Sequence, residues 1–114
     1  MSTASTDREL KKGAADLLVL SLLAERQRHG YELSRLIEQR SAGSLTLHLA
    51  SLYTLLYRLE RKGWIAGRWV EKPGERRRRF YRLTPAGRAL LGEEQERWLE
   101  FVKAVSAITG LRHA

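Results

Sequence analysis

The spacing of hydrophobic positions changes several times along this chain, and each change marks an element. From about Asp7 to Glu25, Leu10, Ala14, Leu17 and Leu18 recur at helical intervals, and Val19, Leu20, Leu22 and Leu23 then make the second half apolar almost all round. A helix apolar on every side must be covered on every side, so a second subunit is expected as part of the cover. The polar stretch from Glu25 to Gly30 ends it. A second helix starts near Gly30 and runs to about Arg40, burying Leu33, Leu36 and Ile37, and Gly43 with its flanking serines makes the turn that follows. Leu45-Thr46-Leu47 reads as a short extended piece suited to the edge of a small sheet.

The third helix, from about Leu49 to Lys62, divides its faces most sharply. At about 100° per residue, Leu52, Leu55, Leu56 and Leu59 fall on one side. Ala50, Thr54, Tyr57 and Arg61 fall opposite, with Ser51, Tyr53 and Arg58 on the flanks, and no carboxylate appears before Glu60. An outward face that is small at its start, uncharged in the middle and basic at its end suits a major groove. There, side chains must reach base edges without repelling phosphates.

After Gly63 the period drops to that of strands. Trp64-Ile65 begins one that continues to Glu71, Pro73-Gly74 signals a turn, and Arg79 to Leu83 returns as the second. A helix-turn-helix followed at once by a basic hairpin is a winged helix. Thr84-Pro85 then opens a fourth helix that ends near Thr109, before Gly110. Leu91, Trp98 and Val105 recur every seven residues along it, with Phe101, Val102 and Ile108 in the same stripe, which suits a partner helix. The expected fold is therefore mostly α with a small β-hairpin, a winged helix-turn-helix between N- and C-terminal dimerisation helices. The 114 residues fit one domain, with the winged helix and its N-terminal helix over about 7–83 and the dimerisation helix over 84–109. The expected dimer interface comprises Leu17, Leu20, Leu91, Trp98, Phe101, Val102, Val105 and Ile108.

Charge sharpens this picture. The chain carries a net charge of +8, and between positions 58 and 82 ten Lys or Arg face three Glu, leaving the remainder nearly neutral. Charge concentrated on a hairpin and the helix before it favours a polyanionic partner. There is no cysteine, so disulfides and thiolate chemistry are excluded. No stretch approaches the ~20 apolar residues of a membrane span, and the first residues lack the features of a signal peptide, so a cytoplasmic protein is expected. His29, His48 and His113 stand on separate segments without a second ligand at metal spacing, and no catalytic constellation stands out. Neither a metal, a cofactor nor enzymatic activity is expected.

These segments resemble the PadR family of bacterial transcriptional regulators. The resemblance rests on His29-Gly30-Tyr31-Glu32-Leu33, Ser51-Leu52-Tyr53, Arg58-Leu59-Glu60-Arg61, Lys62-Gly63, Arg77 to Leu83 with Thr84, and Gly87, and it extends from about Leu10 to Ile108. The single helix after the wing looks like the family's shorter branch, in which that helix dimerises. Trp98 resembles a tryptophan that, in some multidrug-responsive members, faces its symmetry mate. The chain departs from the family at His48-Leu49-Ala50, often Ser-Pro-Gly in members, and at Thr54, often proline; His48 is also a poorer N-cap than serine.

The expected function is that of a sequence-specific, ligand-responsive repressor that binds double-stranded DNA as a homodimer on an inverted repeat. The alternative is a constitutive DNA- or RNA-binding protein. The expected DNA-binding residues are Tyr31, Ala50, Ser51, Tyr53, Thr54, Tyr57, Arg58, Arg61, Lys72, Arg76 and Arg77. The run from Arg76 to Arg79 is either a solvated tip or a phosphate contact, with Arg76 and Arg77, nearest the tip, the stronger candidates. Tyr31 is open between packing and phosphate contact. Trp98 is open between an interface core residue and a stacking platform for a planar aromatic effector.

Overall fold

The computed structural model describes residues 13–111. Within them the order is α1 (Ala15–Glu25), β1 (Arg28–His29), α2 (Gly30–Arg40), α3 (Leu49–Arg61), β2 (Ile65–Val70), β3 (Arg78–Leu83) and α4 (Pro85–Thr109). The expected start of the first helix, with Leu10, lies outside the described residues, as does His113. The fold is a winged helix-turn-helix with a long closing helix. Among the described residues no helix is long and apolar enough to cross a membrane.

Helix α1 is the centre of the core rather than its edge. Val19, Leu20, Leu22 and Leu23 join Leu33 and Ile37 of α2, Leu52, Leu55, Leu56 and Leu59 of α3, Ile65, Tyr81 and Leu83 of the sheet, and Leu91 of α4 in one buried cluster. Helices α2 and α4 and strand β3 all pack on α1. The chain thus covers most of the apolar perimeter that was expected to need a second subunit. Leu20, expected at a dimer interface, is 0% exposed within the single chain and has no surface left to offer. Leu91 is likewise buried, because the first two turns of α4 lie on the domain. Leu17 is half-buried against the same cluster.

The sheet has three strands in the order β1-β3-β2, all antiparallel. The hairpin is where the sequence placed it, but the third strand is Arg28–His29, not Leu45-Thr46-Leu47. Leu47 instead drops into the core. What fixes β1 is a buried cation. Arg28, 5% exposed, donates from Nε to the Leu22 carbonyl at 3.0 Å and from its two terminal nitrogens to Glu25 at 2.6 Å and Glu32 at 2.8 Å. Arg40 closes on Glu25 from α2 at 2.7 and 2.9 Å. The Arg40 hydrogen bond, reinforced by Arg28, holds the Glu25 carboxyl down at about 2. A buried guanidinium is tolerated only when paired in this way.

Local signals end the helices where the sequence said they should. The Thr84 hydroxyl accepts the Gly87 N–H at 3.0 Å and donates to the Gly63 carbonyl at 2.7 Å, with Pro85 following at the first helical position. Gly110 terminates α4 at φ 74. The Lys72 carbonyl accepts the Glu75 N–H at 3.0 Å across Pro73-Gly74, with Gly74 at φ 77, the positive φ that the third residue of a type II turn requires. His48 makes no side-chain cap for α3, while His29 caps α2, its Nδ1 accepting the Glu32 N–H at 3.2 Å.

Candidate nucleic-acid interface

The buried leucines of α3 turn its other side to solvent. Tyr53, Tyr57, Ala50, Thr54, Arg58 and Arg61 are all exposed, and Ser51 is half-buried. The structure sorts them onto two flanks. Toward the wing, Tyr53 and Leu49 share a groove with His29, Gly30 and Tyr31 at the start of α2 and with Trp69 and residues 76–79 of the hairpin. Tyr57 and Arg61 continue it along α3, with the Arg61 guanidinium 5.7 Å from the Tyr57 ring centre. Gly30 is what lets the groove close. A Cβ there would stand 2.8 Å from the Tyr53 ring, so the absent side chain seats that ring against the start of α2.

Toward α1, Ala50, Ser51, Thr54 and Arg58 line a separate hollow with Ala15, Asp16 and Leu47. Two expected contacts are partly committed here. Arg58 pairs with Asp16 at 2.6 Å, and the Thr54 hydroxyl donates back to the Ala50 carbonyl at 3.1 Å.

The basic hairpin is also sorted, by strand parity. Residues directly opposite on an antiparallel pair share a face. Ile65, Gly67 and Trp69 therefore share one with Leu83, Tyr81 and Arg79, and that face meets the core at Ile65, Tyr81 and Leu83. Arg79 reaches along it to Glu60 of α3 at 2.6 Å, and Glu60 also accepts the Gly67 N–H at 3.1 Å. A Cβ at Gly67 would lie 2.7 Å from the Arg79 Nε, so glycine clears the path for that guanidinium. Arg79 is thus a strut between wing and helix. Arg77 lies 4.3 Å from the Trp69 ring centre with only a long contact, 3.7 Å, to Glu71. Among the described residues Arg61, Lys72 and Arg76 carry no ion pair, and Lys72 and Arg76 flank the hairpin tip together.

Several of these features escaped the sequence reading: the Arg28 network, the Glu60–Arg79 strut with its glycine, and the exposure of Trp69. Each joins residues far apart in the chain, and only the alternation through Gly67 and Trp69 hinted at any of them.

The sequence profile of the Transcriptional regulator PadR-like family matches residues 19–93, from inside α1 to the third turn of α4. The chain belongs to this family. Its members are transcriptional regulators, not enzymes. This PadR-like chain is 34% identical to Transcriptional regulator Rv3488 of Mycobacterium tuberculosis over 98 residues, 86% of this chain and 88% of that one. A transcriptional regulator from Clostridium thermocellum has a similar structure, with a TM-score of 0.80 at 30% identity, over 89% of this chain and 98% of the other. PadR of Bacillus subtilis, solved in complex with operator DNA, shares the fold at a TM-score of 0.66 and 20% identity, over 90% of this chain and 49% of that protein.

Proposed function

We propose that this chain is the protomer of a homodimeric, cytoplasmic, ligand-responsive repressor that reads an inverted-repeat operator in double-stranded DNA. It forms one domain over 1–114, with 84–109 as the dimerisation helix. The observation that carries the reading is the groove itself. Three separate elements bring aromatic hydroxyls (Tyr31, Tyr53, Tyr57) and cations without short carboxylate partners (Arg61, Arg76, Arg77) to one side of α3. Helix α3 enters the major groove, where Ala50, Ser51, Thr54 and Tyr57 meet base edges. The wing, with Lys72, Arg76 and Arg77, holds phosphates. The B. subtilis PadR, as a structural relative in complex with operator DNA, lends support to a duplex partner.

Selection from a random duplex library tests the reading. An inverted repeat with half-sites centred about 10 bp apart is expected. Affinity falls with salt by roughly 0.9 log unit per log unit for each phosphate held. Arg76→Gln lowers that slope without changing the preferred sequence, and Arg79→Gln, whose cation is already bound to Glu60, leaves the slope unchanged. No preference for duplex over single strands, or a slope untouched by Arg76→Gln, refutes the assignment.

The partner helix is the outer half of α4. Phe101, Val105 and Ile108 are exposed, Trp98 and Val102 half-buried, and Trp98 meets Phe101 edge to face at 5.7 Å. A planar aromatic effector stacks on Trp98 in the seam between two such helices. Trp98→Ala then removes both ligand binding and the ligand's effect on DNA affinity.

A further inference from the structure

We infer that Trp69 is a positioning residue for DNA binding: its indole holds the Arg77 guanidinium ready for a phosphate. This deepens the DNA-reading function proposed above and rests on it. Trp69 is the largest side chain on the wing and 53% exposed, an unusual place for a tryptophan with no packing role. Its surroundings supply a role. It pairs with Arg79 across the hairpin and shares that residue's face, toward α3. The Arg79 guanidinium stands 5.7 Å from its ring centre and is tied to Glu60, which anchors one side of the cluster to the domain. The Arg77 guanidinium stands closer, at 4.3 Å, and lines the same groove as Tyr31 and Tyr53.

An arginine at a hairpin tip ordinarily loses rotamer freedom when it grips a phosphate. Stacked on an aromatic face it has lost part of that freedom already, and its N–H edges stay available because stacking uses the face of the planar group. The competing acid is weak competition, since Glu71 is exposed and sits at 3.7 Å. The result is a wing whose cation is aimed before DNA arrives. Trp64 has no such place: it is half-buried at the base of β2 against the core.

A double-mutant cycle on duplex affinity tests this in the full-length protein. Arg77→Ala is expected to weaken binding about tenfold and to lower the salt slope by roughly one. Trp69→Leu is expected to weaken it about three- to tenfold, and Trp69→Phe, which keeps an aromatic face, to recover most of the loss. The double variant Trp69→Leu/Arg77→Ala should bind no more weakly than Arg77→Ala alone, because the tryptophan acts through the arginine. Multiplying effects would make Trp69 an independent contact and overturn the inference, as would wild-type affinity in Trp69→Leu. A second measurement needs no DNA: Arg77→Ala should change tryptophan emission of the free protein, and an unchanged spectrum also overturns it. If the wild-type protein binds no duplex at all, the DNA-reading function falls first and Trp69 has nothing to position.

Discussion

One alanine at position 87 should cost this fold about as much as truncating a buried leucine. Gly87 sits in the first turn of α4, and a Cβ there would stand 1.9 Å from the Trp64 carbonyl oxygen, 2.8 Å from its carbon and 2.9 Å from a Leu83 methyl. The obstacle is backbone, so no rotamer relieves it. Helix and strand must separate by at least about 1 Å to bring that contact to the 3.0 Å floor of real Cβ contacts. Separation loosens the Thr84 N–H to Trp64 carbonyl bond (3.1 Å) and the Thr84 hydroxyl to Gly63 bond (2.7 Å). Two hydrogen bonds at about 1 kcal/mol each, plus about 1–3 kcal/mol of overpacking, outweigh the up to ~1 kcal/mol that alanine gains over glycine in a helix. The net loss is about 2–4 kcal/mol, roughly 10–20 °C in Tm for a domain of this size. Gly92→Ala is the matched control, since its Cβ meets nothing within 4 Å; it should be neutral or stabilising by up to about 1 kcal/mol. Thermal circular dichroism of both variants at equal protein concentration checks the pair. A Gly87→Ala melt within a couple of degrees of wild type would refute the contact.

Arg28→Met keeps the length of the buried stem but removes the side-chain donor to the Leu22 carbonyl and one of the two arginines on each of Glu25 (which keeps Arg40) and Glu32 (which keeps Arg26), and should cost about 2–4 kcal/mol by urea unfolding. His29 is held below its ordinary value, chiefly by burial and then by Arg78, against the opposing pull of Glu32. The unfolded chain therefore takes up its proton first, so the stability from neutral His29 is complete above about pH 6.5 and lost as pH falls below it. Tm should drop between pH 7.5 and 5.5 and drop less in His29→Asn, which caps without titrating; Glu25, at about 2, stays ionised throughout. Trp98→Glu with Val105→Glu should give a monomer by light scattering if α4 is the dimer seam, and an unchanged dimer mass would remove that seam from consideration.

The helices and hairpin were legible because each carries its own signal. The α3 leucines repeat at helical spacing, Thr84-Pro85 opens α4, and Pro73-Gly74 turns the wing. Strand β1 was not, since two residues have no period, and Arg28 in a polar run reads as solvent-facing until Glu25 and Glu32 are seen around it. Leu45-Thr46-Leu47 misled for the converse reason: two leucines flanking a threonine look extended, but Leu47 is drawn into the core. The same limit governs the site. The outward face of α3 follows from periodicity alone. Which of its residues are tied up does not: Asp16, 42 positions from Arg58, and Glu60, 19 positions from Arg79, find their partners only after folding.

Those tertiary ties also decide how a signal at one end of the proposed dimer reaches the other. Helix α4 begins directly after Thr84, itself the residue after β3, and lies on the domain for its first two turns; Thr84 is bonded to Gly63 and Trp64, where α3 gives way to β2. The element offered to a partner and the hairpin offered to DNA thus share one anchorage. A tilt of α4 cannot be absorbed there by a loop, because no loop lies between β3 and α4 and because the Gly87 contact leaves no slack toward Trp64. At about 1.5 Å per residue the helix spans roughly 37 Å, so a ligand that changes its angle by about 10° near the far end moves one wing relative to the other by several ångströms. Half-site spacing is fixed by the DNA helix, and in the proposed complex a mismatch on that scale would take one of the two wings off its phosphates. In the proposed dimer, effector binding in the seam and operator release would then be coupled through one rigid connection, and each would change the affinity for the other by the same factor.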